Sequence, residues 1–194
     1  LSSKQAILKK AVALIAERGY SGVSMRQLAN AVGMSPATLY HHFPDKQSLY
    51  KAAVMSAFAD KETAFKGVWS TQQAPKNRLL HYVSVFFQVL SDDPDFHRLL
   101  QREILEGEPE RMRLLAQVVF KQQFDLLIHL AEQLAPHRDA HLTSIAIVSL
   151  IKHHIEMRSI RPFLPGWKPE HEDPSFMAKH IVDLILTGIT KPHE

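Results

Sequence analysis

The sequence predicts an all-α chain of about nine helices, and three observations carry that expectation. Apolar residues recur at helical spacing through most of the 194 residues. Prolines, glycines and aspartates mark the joints. Asp93-Pro94 and Asp173-Pro174 each read as an N-cap followed by proline at the first helical position, where a missing N–H costs nothing. No alternating apolar and polar run bounded by turn residues suggests a strand.

The elements follow in order. A first helix is expected from Ser3 to Arg18, with Ser2 and Gln5 spaced as a capping box and Leu8, Ala11, Val12 and Ile15 as its buried stripe. Ser24 and Gln27 form a second capping box. It opens a helix whose Met25, Leu28, Ala29 and Val32 fall at i, i+3, i+4 and i+7. Gly33 can take the left-handed backbone that stops this helix. Ser35 then supplies an N-cap oxygen and Pro36 the first position of a third helix, whose Leu39 and Phe43, four apart, face inward. Asp45 caps a fourth helix running to about Trp69, and the polar stretch TQQAPKN breaks the chain. Five more helices are expected at Lys76–Ser91, Pro94–Leu105, Glu110–Leu134, Ala140–Ile160 and Pro174–Thr190. The segment Arg161–Asp173, with three prolines and a glycine, is expected to be a loop. The architecture this implies is an N-terminal three-helix head over residues 1–54, with a helix-turn-helix at about 24–43. A larger helical body over residues 55–194 follows it.

Composition narrows the function. The chain has no cysteine, which excludes disulfides and thiolate metal sites and fits a reducing cytoplasm. Its apolar runs stay short of a membrane span, and LSSKQAILKK lacks the apolar core of a signal peptide. Leu1 in place of a start methionine leads us to expect native residues before it. Charge is unevenly distributed. Through Lys51 there are seven Lys/Arg against two acids, and beyond it sixteen against eighteen. A basic half of this kind suits phosphates.

The third helix is the most informative segment. With Leu39 and Phe43 turned inward, Thr38, Tyr40, His41 and His42 are left largely outside, a polar and aromatic set that no core requires. That is the pattern of a helix-turn-helix whose second helix reads a DNA major groove. The segment GYSGVSMRQLANAVGMSPATLYHHFPDKQSLYKAAV, from Gly19 to Val54, resembles the DNA-binding domain of the TetR family of bacterial transcriptional regulators. The resemblance rests on Gly19-Tyr20 ending the first helix, Ser24 opening the second, the Gly33–Ser35 turn, and Leu39-Tyr40-x-His42-Phe43-Pro44-x-Lys46. Ala37 and His41 depart from the commonest form of this pattern, which bears on the DNA sequence preferred.

Chemistry and the family pattern together assign the DNA contacts. Pro36, Ala37, Tyr40 and His41 are candidates for base edges, with Arg26 reaching in from the second helix. Ser24, Thr38, His42 and Lys46 are candidates for phosphate. Lys46 lies in the first turn of the fourth helix, where free N–H groups also favour an anion. The resemblance further implies a two-fold dimer built by the last two long helices, and an effector pocket in the body. Apolar and small positions nominate Leu142, Ile145 and Ser149 on one of these helices, and Met177, Ile181, Leu184, Ile185 and Gly188 on the other. Pocket walls are sought among Phe87, Leu100, Phe124 and Leu127, with His97, Gln101, Glu103 and His154 as polar groups.

Twelve histidines raise the question of a metal. His137 and His141 are four apart and His153-His154 precede Glu156, but His137 follows a proline and adjacent helical residues point about 100° apart. Scattered histidine is the reading taken, with no metal site, cofactor or catalytic residue assigned. The sequence therefore reads as a homodimeric, non-enzymatic, cytoplasmic repressor of transcription. It would bind a palindromic operator in double-stranded DNA, be released by a small-molecule effector, and have no membrane partner. Two other readings stay open: a regulator of the same fold without an effector, and a metal-dependent enzyme. Against the enzyme stands the lack of an HExxH or a glycine-rich phosphate loop.

Overall fold

The structure, a computed structural model, describes residues 3–69 and 72–189. Ser2 of the first expected capping box and Thr190 at the expected end of the last helix lie outside the described residues. Among those residues there is no strand. The helices are α1 (Ser3–Arg18), α2 (Met25–Ala31), α3 (Pro36–His42), α4 (Lys46–Trp69), α5 (Pro75–Asp92), α6 (Pro94–Glu106), α7 (Pro109–Leu114), α8 (Lys121–Leu134), α9 (Ala140–Glu156) and α10 (Pro174–Ile189).

The expected caps at Ser24, Asp45 and Asp93 are in place. Ser24 Oγ accepts from the Gln27 N–H at 3.2 Å while the Gln27 side chain accepts from the Ser24 N–H at 2.8 Å. Asp45 Oδ1 accepts from the Ser48 N–H at 2.6 Å, and Asp93 Oδ1 from the Phe96 N–H at 3.0 Å. Burial opposes ionisation of Asp93. The Lys61 ammonium at 2.6 Å and the Phe96 amide overcome it, and hold the carboxyl below the usual carboxylate range.

Two expected helices are modified. The stretch expected as one helix from Glu110 to Leu134 is interrupted by a π-helical segment, Leu115–Phe120, between α7 and α8. In a regular α-helix residues five apart diverge by about 140°. The wider π turn lets both Leu115 and Phe120 face the same core, where Leu115 is buried and the Phe120 ring stands 5.1 Å from that of Phe58. The helix expected to reach Ile160 ends at Glu156 and tightens into a 3₁₀ turn at Met157–Ser159, close to the constraint imposed by Pro162. The loop after it contains further 3₁₀ turns at Arg161–Phe163 and Pro169–Glu172, and Arg161 donates to the carbonyls of His154 and His171.

The chain divides into two compact units. The first unit is Leu1–Glu62 with Asp93–Phe120; the second is Thr63–Asp92 with Lys121–Glu194. Helices α6 and α7, expected in the body, thus belong to the unit that contains the helix-turn-helix. The physical reason lies in their side chains. Arg102 of α6 donates from Nε to the Ala16 carbonyl at 2.7 Å and from Nη2 to the Glu17 carbonyl at 2.5 Å. These are end-of-helix carbonyls that α1 cannot satisfy itself. Gly19, at φ 74°, closes α1, and a Cβ there would stand 2.6 Å from Glu106 Oε1. The left-handed backbone is what favours glycine here, since the Glu106 carboxylate sits at the end of a flexible side chain that can move aside. Arg111 of α7 pairs with Glu103 at 2.7 Å and Glu106 at 2.5 Å on α6. The first unit's core runs through Ile7, Ala11 and Ile15 of α1, Leu28 of α2, Leu39 of α3, Leu49 and Tyr50 of α4, and Leu99 of α6.

In the second unit α5 packs against α8, α9 and α10, and α8 against α9. Leu79, Val83, Leu127, Leu130, Ile147, Ile151 and Ile181 are buried there. Tyr82 lies among Phe65, Trp69 and Phe86, with ring centroids 5.5 to 5.8 Å away. The Trp69 indole donates to Gln123 Oε1 at 2.7 Å.

Because the Glu103 carboxylate is 1% exposed, it depends on the Arg111 guanidinium. Glu103→Gln should destabilise the protein by about 3 kcal/mol, read from urea unfolding; a change under a tenth of that would show that the pair is dispensable.

Candidate nucleic-acid interface

The helix-turn-helix is built by local rules. Gly33 ends α2 at φ 70°, with its N–H on the Asn30 carbonyl at 3.1 Å, and the Met34 N–H returns to the Ala29 carbonyl at 2.9 Å. Ser35 Oγ then accepts from the Thr38 N–H at 3.1 Å and opens α3, with Pro36 at its first position. Leu39 and Phe43, 0% and 4% exposed, anchor α3 from beneath. Pro36, Ala37, Thr38, Tyr40 and His41 are exposed and His42 is half-buried, its ring 6.5 Å from that of Phe43. Tyr40 is 50% exposed, a large aromatic surface left in water.

Four of the candidate contacts converge. Ser24, Arg26, Tyr40 and Lys46 line one open groove of about 510 Å³ together with Ser21, Gly22, Val23, Met25 and Gln27. The Thr38 hydroxyl shares a hydrogen bond with Ser35 Oγ at 2.8 Å, so part of its bonding capacity serves the cap. Asp45 takes up the first turn of α4: the Ser48 amide, helped by the Ser48 hydroxyl, holds its carboxyl below the usual range. Of the free N–H groups expected to help Lys46 hold an anion, that of Ser48 therefore already has an acceptor.

Lys46 itself is carried by a ring. Its ammonium lies 4.2 Å from the centroid of Tyr20, whose ring stands edge-on to Tyr50 at 5.0 Å. The Arg111 guanidinium lies 4.8 Å from the same Tyr20 centroid. Burial, and then the charge of Arg111, draw the Lys46 pKa down. Burial, and then the Glu103 carboxylate, push the Tyr50 hydroxyl far above the ordinary phenol range, so it stays protonated. Sequence reasoning took Tyr20 as a helix-end residue and missed its contact with Lys46. Its aromatic character at the close of α1 was the available signal.

The effector candidates are divided between the two units. His97, Leu100, Gln101 and Glu103 lie in the first unit; Phe87, Phe124, Leu127 and His154 lie in the second. Phe87 and His154 share a cavity of about 20 Å³, room for a single water, with Arg158, Arg161, His171 and Glu172 among its walls. Burial and the neighbouring Arg161 lower the His154 pKa. Leu127 is fully buried, and the Phe124 ring meets His141 at 5.5 Å. Glu103 is committed to Arg111.

The dimer candidates separate. Leu142, Ile145 and Ser149 of α9 are exposed, as are Leu184 and Gly188 of α10. Met177, Ile181 and Ile185, 6%, 0% and 5% exposed, are buried within the subunit itself. Their apolar spacing on α10 is that of a core stripe. Among the described residues no cluster of three metal-ligating side chains occurs, and no helix is long and apolar enough to cross a membrane.

Comparison with known proteins bears on this geometry. Residues 7–53 match the family model "Bacterial regulatory proteins, tetR family". The HTH-type transcriptional regulator RutR of Escherichia coli (strain K12) is 31% identical over 108 residues, 56% of this chain and 50% of RutR. The chain thus spans half the length of that curated relative. Among solved structures, FadR from Bacillus subtilis in complex with stearoyl-CoA superposes with a TM-score of 0.77 at 18% identity, covering 95% of this chain and 98% of FadR. AibR in complex with isovaleryl coenzyme A and operator DNA gives 0.69 at 22% identity, covering 99% and 100%. At such identities the likeness is one of fold.

The Ser35 hydroxyl caps α3 by accepting from the Thr38 amide. Ser35→Ala should cost about 1 kcal/mol of stability in urea unfolding. An unchanged midpoint would mean that solvent serves the Thr38 amide equally well.

Proposed function

Taking as premise that the chain, through residues 7–53, belongs to the tetR family of bacterial regulatory proteins, we propose that it is a cytoplasmic, non-enzymatic regulator that binds a palindromic operator as a homodimer. The observation that carries the reading is the two-sided character of α3. Leu39 and Phe43 are buried, while Pro36, Ala37, Thr38, Tyr40 and His41 are exposed beside a groove containing Arg26 and Lys46. Nothing in the packing of the unit calls for a phenol and an imidazole there, whereas base edges in a major groove do. In this reading Tyr40 and His41 meet bases with Pro36 and Ala37 in close apposition, and Arg26 reaches a guanine. Ser24, Thr38, His42 and Lys46 hold phosphates.

The exposed apolar residues of α9 and α10 support dimerisation through those helices, and a two-fold pair of heads suits half-sites one helical turn or more apart. Repression would then end when a small molecule binds more tightly to a conformer whose heads are wrongly spaced. The coenzyme A thioesters bound by FadR and AibR support an effector of that general size. The cavity of about 20 Å³ beside His154 favours a second reading, in which the same regulator answers to no small molecule. A thermal-shift series with acyl-coenzyme A thioesters of graded length separates them: stabilisation supports the first reading, and no shift supports the second.

Three outcomes test the proposal. Genomic fragments selected on the protein should converge on a palindrome; a featureless set sinks the operator. Tyr40→Ala should weaken operator binding and relax one base position by about 1–3 kcal/mol, whereas Lys46→Ala should weaken all duplexes alike and reduce the salt slope by about 0.9. Leu184→Glu should shift the sedimenting species from dimer to monomer without loss of helicity, since Leu184 is 50% exposed and no core is broken.

A further inference from the structure

Resting on the phosphate role proposed for Lys46, we infer that Tyr20 is a positioning residue for DNA binding, one that holds the Lys46 ammonium in place without neutralising it. A lysine has a long, flexible stem, and a free one spends side-chain entropy when it docks on a phosphate. A salt bridge would remove that freedom, but it would also cancel the charge that releases counterions from DNA. An aromatic face does the first without the second. The ring quadrupole attracts a cation over about 4–6 Å, yet leaves its formal charge whole and its hydrogens open to a further acceptor.

The structure meets each requirement. Lys46 Nζ lies 4.2 Å from the Tyr20 centroid, and among the described residues it makes no ion pair. Tyr20 is itself fixed from the side by Tyr50, edge-on at 5.0 Å, and Tyr50 is 1% exposed. Arg111, the other cation on this ring, is spoken for by Glu103 and Glu106 at 2.7 and 2.5 Å. Of the two positive groups against Tyr20, only the lysine makes no ion pair, the Glu106 carboxylate acting on it through space alone, and it lines the groove with Ser24, Arg26 and Tyr40. The carboxylates thus sort the two cations, one for the fold and one for DNA.

The test uses the full chain and a mixed-sequence duplex, titrated over a range of salt. Lys46→Ala should lower the salt slope by about 0.9, and Tyr20→Leu should weaken binding by about two- to five-fold and lower the slope in the same sense. The double variant should bind no more weakly than Lys46→Ala alone. Tyr20→Phe, which keeps the ring, should bind as the wild type. Trifluorinated phenylalanine at position 20, of nearly the same shape but with a depleted π face, should weaken binding relative to Tyr20→Phe; this comparison decides the matter if Tyr20→Leu loses its helical circular dichroism. Full additivity of Tyr20→Leu and Lys46→Ala, or equal affinity for the two phenylalanine forms, overturns the positioning role. A wild-type protein that retards no duplex overturns the proposed function instead, and a wild-type salt slope in Lys46→Ala overturns the phosphate contact.

Discussion

A buried carboxylate is the constraint from which much of the first unit follows. Glu103 is 1% exposed, and an ionised group at that depth persists only when a cation meets it in good geometry. Arg111 supplies that cation from the next helix, and so α7 is tied to α6. Helix α6 is in turn tied to α1, because Arg102 caps the last carbonyls of α1. Two arginines therefore extend a three-helix head into a five-helix-and-more unit. The same guanidinium that pairs with Glu103 Oε2 lies against Tyr20 and Tyr50, so the ion pair and the aromatic pair are one assembly. Removing the carboxylate would leave Arg111 less constrained beside Lys46, two positive charges near one ring.

The legible part of the sequence was the part governed by neighbours along the chain. Ser24, Gly33, Ser35, Asp45 and Asp93 each act on groups within a few residues, and each does what its position implied. The burial of Leu39 and Phe43 was equally readable, since helical periodicity reports which side of a short helix is occupied. Side chains reaching far along the chain were not readable. Arg102 meets α1 across 85 or 86 residues, and no local pattern announces that. For this reason the sequence did not show that α6 and α7 pack in one unit with α1. The π-helical segment Leu115–Phe120 escaped notice for a related reason: it answers to the demand that Leu115 and Phe120 share a core.

Periodicity is ambiguous in one instructive place. On α10 an apolar stripe looks the same whether it faces its own core or another chain. Met177, Ile181 and Ile185 prove to be core. A helix on the margin of a unit carries two apolar faces, and the sequence shows their union without the seam between them. In the candidate nucleic-acid interface the reverse holds. An exposed phenol flanked by imidazoles has no competing use in packing, so the exposure of Tyr40 was readable from residue type alone, whereas the contact of half-buried Tyr20 with Lys46 was not.

What remains on the outer faces of α9 and α10 bears on how the proposed dimer would form. Arg138, just before α9, donates to the Gly188 carbonyl near the end of α10 at 2.9 Å, so the start of one helix lies beside the end of the other. Leu142 and Ile145 on α9 and Leu184 on α10 are thereby gathered at one end of the pair, away from the connecting turns. Gly188 sits there too, with nothing within 4 Å of where a Cβ would stand. Exposed leucines around a bare stretch of backbone suit the close approach of a second helix, since the small position admits it and the leucines lose water on contact. An interface so placed would leave Met177, Ile181 and Ile185 to stabilise each subunit alone. Association and folding would then draw on separate residues, which allows a subunit to be folded before it finds its partner.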